Sequence, residues 1–307
     1  MQKIDERKDV LSMNKEVQGS EPSYPKRGYL NEPFRLFHLR DHKKGVYPSH
    51  YHDFLKITML LEGNVSYVVE GRSYPLVPYD MVLVNRGQIH HPEVKDTLPY
   101  ERILLYLSPD FLTQFSQEGA SLDRCFETAA YHHSQVLRLD QDRQGCLLSL
   151  LKKLEHSQNR QHKEFAGSLY SRLLCLEFLV QLNRFSSDSN ALYVPTGTLD
   201  YRVSGLISYI NDHLQEELSI EMLSSLISIS PYHMMRTFKK ETGRTIGNYI
   251  IEKRLMKARD LIRDGSKATE ACYACGFNNY STFLRAYKEQ FGHLPKYQKT
   301  LNKGLKS

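Results

Sequence analysis

Near the C-terminus of this chain one plan is written twice: a helix, a tight break, then a second helix with a defined start. The first copy runs from Ile220 to Ile227, breaks at Ser228-Ile229-Ser230, and resumes from Pro231 to Lys240. A serine at an N-cap offers an oxygen to an orphan backbone N–H, and proline suits the first helical position. The second copy runs from Ala268 to Cys275, breaks at Gly276-Phe277-Asn278, and resumes from Asn279 to Gly292. Phe238-Lys239-Lys240-Glu241-Thr242-Gly243 matches Tyr287-Lys288-Glu289-Gln290-Phe291-Gly292 at a separation of 49 residues, which reads as an internal duplication. Each copy has the form of a helix-turn-helix. Between them Ile246 to Ile262 reads as an amphipathic helix of roughly 25 Å. With the flanking units, that rod is about what is needed to hold two recognition helices one DNA turn (~34 Å) apart.

Charge agrees with this placement. Residues 1–199 carry 24 Lys+Arg and 24 Asp+Glu, whereas residues 200–307 carry 17 and 11, so the chain's whole excess of +6 lies beside the duplicated units. A basic module joined to a neutral one points to a polyanion-binding part and a part with another task.

The rest of the chain divides by pattern. Residues 1–27 are polar and aperiodic, and read as a tail. From Phe34 to about Leu107 short strand-like runs alternate with turn formers (Glu62-Gly63-Asn64, Glu70-Gly71-Arg72, Pro78-Tyr79-Asp80), which suggests an antiparallel sandwich or barrel. Two helical patterns follow, Gln141 to Asn159 and His162 to Arg184. They read as one helix completing the domain core and one facing a partner in a homodimer. Residues 186–200, rich in Ser, Asn, Pro and Gly, read as a linker. The fold class expected is therefore α+β in two domains. A β-barrel domain with a helical pair occupies 28–185, and an all-α double helix-turn-helix occupies 201–307. Five cysteines, an odd and small number, suit reduced thiols. No run is apolar enough for a membrane span and the N-terminus has no signal-like apolar segment, so the expected location is cytoplasmic. Cys272-x-x-Cys275 lacks a second ligand pair nearby and reads as packing beneath the second recognition helix.

The C-terminal third resembles the AraC/XylS family of transcription regulators. The resemblance rests on Phe238-Lys239-Lys240 with Thr242-Gly243, on Arg254-Leu255 and Ala258, on Gly276-Phe277, Ser281, Phe283 and Arg285-Ala286-Tyr287-Lys288, and on Gly292, Pro295 and Tyr297. It implies promoter double-stranded DNA and RNA polymerase as partners, and an activator more than a repressor. Matching positions place Tyr232, Met235 and Arg236 of the first recognition helix, and Ser281, Thr282 and Arg285 of the second, against DNA. Arg236 and Arg285 are the expected base readers, since a guanidinium can bond a guanine edge through two hydrogen bonds. Ser228 stands where a turn glycine is common, Ala271-Cys272 replace a larger aliphatic and an alanine, and Met235 is less polar than a usual base reader.

The N-terminal pattern His50-Tyr51-His52, Gly63, Tyr74 to Val84 and His90-His91-Pro92 resembles the cupin-like effector domain of the same regulators. The implied effector-binding residues are His50, His52, Lys56 and His90, for a small molecule of unstated identity. Metal-binding cupins carry a glutamate where this chain has Lys56, and an ammonium repels a divalent cation. The preferred reading is therefore a small-molecule site with no metal, no cofactor and no enzymatic activity, with weak metal binding by two or three neutral histidines, or histidines that bind nothing, as the other readings. The alternatives are a cupin-type metalloenzyme with an accessory basic module, and an adaptor that binds DNA and a partner protein without a small ligand.

Overall fold

The computed structural model describes residue 30 and residues 32–42, 44–117, 119–160, 164–196 and 201–296. The tail expected over 1–27, positions 197–200 of the expected linker, His162 and Tyr297 lie outside the described residues.

The N-terminal part is built on strands β1 (Phe34–Asp41), β2 (Gly45–Val46), β3 (Leu55–Glu62), β4 (Val65–Val69), β5 (Arg72–Pro75), β6 (Met81–Val84), β7 (His90–Val94) and β8 (Tyr100–Leu107). Short strands β9 (Val136–Arg138) and β10 (Leu192–Tyr193) extend one edge. The order β1-β8-β3-β6-β9-β10 forms one antiparallel sheet and β2-β7-β4-β5 a second. The expected barrel is therefore two sheets, and among the described residues no strand closes them into a ring.

Strand alternation explains why two cores form. In β3 the odd-numbered Leu55, Ile57 and Met59 join a cluster with Leu83, Ile103 and Leu105 on one face of the larger sheet. Helices α1 (Pro109–Phe115), α2 (Arg124–Tyr131), α3 (Gln141–Arg160) and α4 (Gly167–Ser186) cover that face, through Phe111, Phe126, Leu151 and Phe178 among others. The opposite face, with Leu60, Val82 and Val84, meets Tyr67, Val69 and Val94 of the smaller sheet. The result is three layers: helices, six strands, four strands. Asp80, fully buried, accepts two 2.7 Å hydrogen bonds from the Arg138 guanidinium and so pins the β6 edge to β9.

The C-terminal part comprises α5 (Tyr201–Asp212), α6 (Ile220–Leu226), α7 (Pro231–Thr242), α8 (Ile246–Arg263), α9 (Ala268–Ala274) and α10 (Tyr280–Phe291). It has two apolar centres. Leu206, Ile210, Leu223, Met234 and Phe238 gather around the N-terminal half of α8. Leu255, Ala258 and Ile262 from its C-terminal half pack with Cys272, Phe283 and Tyr287. One amphipathic helix thus serves both units.

Candidate DNA interface and effector site

The duplication inferred from sequence is physical. Helices α7 and α10 each contain 12 residues. The Ser230 side chain accepts from the His233 N–H, and the Asn279 side chain accepts from the Thr282 N–H. Both helices end on glycines in the left-handed region, Gly243 at φ 72° and Gly292 at φ 76°. Met234, Phe238 and Thr242 are buried beneath the first, and Phe283, Tyr287 and Phe291 beneath the second. The opposite faces are open: Tyr232, Met235, Arg236, Ser281, Thr282 and Arg285 are all exposed. A capped, basic, solvent-facing helix held from behind by aromatic residues is suited to enter a major groove.

The two turns differ in a telling way. Gly276, at φ 82°, would place an added Cβ 2.5 Å from the Leu214 carbonyl oxygen and 3.0 Å from the Arg254 guanidinium. Ser228 adopts the same left-handed region at φ 54° without being glycine. Tyr79, in the Pro78-Tyr79-Asp80 turn, does likewise at φ 72°. The backbone takes the bend in both places without the glycine that favours it.

Arg254 ties the two units together. Its Nε donates to the Leu214 carbonyl at 2.7 Å and Nη2 to that of Glu216 at 2.6 Å, at the end of the first bundle, while its guanidinium lies beside Gly276 in the second turn. The sequence pattern marked this position without giving it a role. Cys272 and Cys275 are buried in the second core, where burial raises both thiols, Cys275 to about 11. They pack as expected.

At the other site, three of the four proposed effector residues converge. The His50 and His90 rings lie 4.4 Å apart, His50 and His52 5.0 Å, and His52 and His90 5.1 Å between centroids. Backbone bonds fix this pairing: His50 N–H donates to the His90 carbonyl and His90 N–H to that of His50. His52 stacks on Phe54 at 4.4 Å. Lys56 is buried one residue out of phase with the apolar face of β3, and its Nζ lies over the Tyr106 ring at 5.7 Å. Burial, then the nearby His50, Lys56 and His52, hold the His90 imidazole well below its ordinary pKa. At neutral pH His90 is therefore a neutral ring with one donor and one acceptor nitrogen.

Neither pattern nor motif foretold how the two parts meet. Tyr51, between two of the histidines, and Ile89, next to the third, belong to the apolar core of the first helix-turn-helix unit. Gln290 of α10 donates to the Tyr51 hydroxyl, and the Arg244 guanidinium lies 5.9 Å over its ring. The Glu70 carboxylate, in the β4–β5 turn, accepts from the Ile89 N–H at 2.7 Å, from Lys253 Nζ at 2.9 Å and from the Tyr249 hydroxyl. Arg86 pairs with Asp260, and Arg259 with Asp53 at 3.2 Å. Tyr249, Lys253, Arg259 and Asp260 all lie on α8, and on α5 the Ser208 hydroxyl accepts from Arg72 at 3.5 Å. The only advance signals were turn formers such as Glu70-Gly71-Arg72, which reveal a bend and not what the bend touches.

An open groove of about 490 Å³ is lined by Leu148, Lys152, His156 and Tyr170 of α3 and α4, and by none of His50, His52 and His90. Beside it on α4, Leu169, Leu173 and Val180 are exposed.

Two family models match this chain. One, described as an AraC-like ligand binding domain, covers residues 34–174, and one, described as a helix-turn-helix domain, covers 223–299. The HTH-type transcriptional activator RhaS of Escherichia fergusonii is 26% identical over 254 residues, 82% of this chain and 87% of the relative. RhaS of Salmonella paratyphi A is 27% identical over 256 residues, again 82% and 87%. Among solved structures, ToxT of Vibrio cholerae aligns with 87% of this chain and 98% of its own at 12% identity and a TM-score of 0.34. No helix among the described residues is long and apolar enough to cross a membrane.

Proposed function

The chain belongs to the AraC family of transcription regulators, and from that premise we propose that it is a DNA-binding activator whose N-terminal sandwich takes a small-molecule effector. The observation that carries the reading is the pair of equal, capped helices with their exposed faces, joined by α8. Tyr232, Met235 and Arg236 contact one major groove, and Ser281, Thr282 and Arg285 the next on the same side of the duplex. His50, His52, Lys56 and His90 line the effector site. The chain is a cytoplasmic regulator and not an enzyme, its divisions fall at 28–185 and 201–307, and RNA polymerase is the partner through which it activates.

A homodimer joined through the exposed face of α4 completes the proposal. Leu169, Leu173 and Val180 recur there at helical spacing, and an apolar helical face of this kind is suited to a second copy of itself.

Footprinting on the DNA upstream of the chain's own gene tests the reading. Two protected major-groove segments about one helical turn (~10 bp) apart are expected for each bound chain. A single protected groove, unchanged when Arg236 is replaced by alanine, would contradict it.

A further inference from the structure

Lys56, where metal-binding cupins carry a glutamate, weighs against a metal; the arrangement of the histidines weighs for one. One ring nitrogen from each of His50, His52 and His90 lies within 4.8 Å of the other two. Two of the rings are already oriented as ligands. His50 Nδ1 donates to the Pro48 carbonyl at 2.8 Å, and His90 Nδ1 donates to the Gln88 carbonyl at 2.9 Å. A proton fixed on Nδ1 leaves the lone pair on Nε2, and metal-ligating histidines are commonly held by such a bond to a backbone carbonyl. His90 is fully buried, and its Nε2 has no hydrogen-bond partner among the described residues. A buried acceptor left in that state costs free energy that a bound cation would recover. Closing the three nitrogens onto zinc, at ~2.0–2.1 Å each, requires them to move together by about 1 Å.

Lys56 stands beside the site, near enough for its charge to act on His90. Its ammonium lies over the Tyr106 ring, where a cation is stabilised by the aromatic face. Its charge weakens a bound cation without displacing it, which suits an ion that comes and goes more than a permanent cofactor.

We propose that His50, His52 and His90 bind one divalent transition-metal ion through their imidazoles, and that occupancy of this site alters DNA binding through Tyr51 and Ile89. This rests on the reading of the chain as a DNA-binding regulator. Tyr51 is flanked by two of the ligands and Ile89 adjoins the third, while both side chains are packed in the core of the first helix-turn-helix unit. Tyr51 also meets Gln290 on the second recognition helix. Drawing residues 50, 52 and 90 together displaces residues 51 and 89, which touch both units. Three histidines leave at least one coordination position open.

The test uses the full-length chain and Co2+ alone, followed by Zn2+ in competition. One equivalent of Co2+ is expected, with visible absorption bands of a nitrogen-ligated ion that Zn2+ abolishes. Substituting His52→Ala or His90→Ala weakens binding by at least about a hundredfold, while Lys56→Gln tightens it by about tenfold because a repelling charge is gone. Should the alanine variants melt early, Lys56→Gln still decides, since it keeps all three imidazoles. DNA affinity then changes at least about fivefold between metal-free and Co2+-loaded wild type. Absence of stoichiometric Co2+, or binding indifferent to Lys56→Gln and to the histidine substitutions, overturns the site. Binding with unchanged DNA affinity overturns the regulatory role. The metal titration needs no DNA, so a chain that failed to bind DNA at all would count against the regulator reading and leave the metal result standing.

Discussion

Glu70 and Lys253, separated by 183 positions in sequence, meet across the seam between the sandwich and α8, with Lys253 Nζ 2.9 Å from the Glu70 carboxylate. Both are largely buried, and Lys253 also donates to the Gly87 carbonyl. Removing one member of a buried pair strands the other, so Lys253→Ala should cost about 3 kcal/mol of stability. Double-mutant cycles with Glu70→Gln measure the coupling, and limited proteolysis between residues 186 and 201 reports loosening of the seam. A cycle with no coupling would show that the pair contributes nothing to docking.

The two turns make opposite predictions. Gly276→Ala must strain a left-handed residue and drive a Cβ against the Leu214 carbonyl, so it destabilises by well over ~1 kcal/mol. Ser228→Gly relieves strain at φ 54° and should be neutral or stabilising by up to ~1 kcal/mol. Thermal melts of the two variants read the contrast directly, and a destabilised Ser228→Gly would contradict it.

Glu252 gives a pH signature. Burial pushes its carboxyl from 4.5 up to about 7, although Arg244 Nη1 lies only 2.9 Å away. A folded-state pKa above the unfolded value means that the stability is fully present below pH 4.5 and is lost as pH rises through 7. Over that window the wild type should lose about 3 kcal/mol relative to Glu252→Gln. Urea melts at pH 5 and pH 8 check it; parallel behaviour of the two chains would contradict it.

Leu173 tests the association surface. It is 55% exposed on α4, so Leu173→Glu should leave the melting temperature of the protomer nearly unchanged. Sedimentation velocity should show a dimer for the wild type and a monomer for the variant. If both sediment alike, α4 is not the interface.

The helix-turn-helix units were legible because their determinants are local. Caps at Ser230 and Asn279, glycines at Gly243 and Gly292, and aromatic residues at helical spacing act within a few residues of where they stand. The strands were legible for the same reason, through turns and alternation. Ser228 and Tyr79 mark the limit: both are exposed, and each donates its backbone N–H, to the Ser225 and Leu60 carbonyls, while keeping a conformation that its own side chain disfavours. The three histidines could be nominated from their spacing, but the proximity of His90 to His50 depends on β7 pairing with the segment before β3. The seam was illegible, because Glu70 and Arg86 meet Tyr249 and Asp260 of α8, and Tyr51 meets Gln290 of α10, each more than 170 residues further along the chain. Lys56 shows a related limit. Sequence shows that a cation replaces a carboxylate, and only the fold shows that it lies on Tyr106.

The central claim is that two recognition helices read DNA from Arg236 and Arg285, both exposed and both 49 residues apart in the duplicated frame. Fluorescence anisotropy on a duplex from the chain's own upstream region, titrated with salt, tests it most directly. The wild type should bind at least about a thousandfold more tightly than to random duplex, with affinity falling steeply as salt rises. Arg236→Ala and Arg285→Ala should each cost about 1–3 kcal/mol of that affinity without lowering the melting temperature. Equal affinity for both duplexes, unmoved by either substitution, would contradict the account.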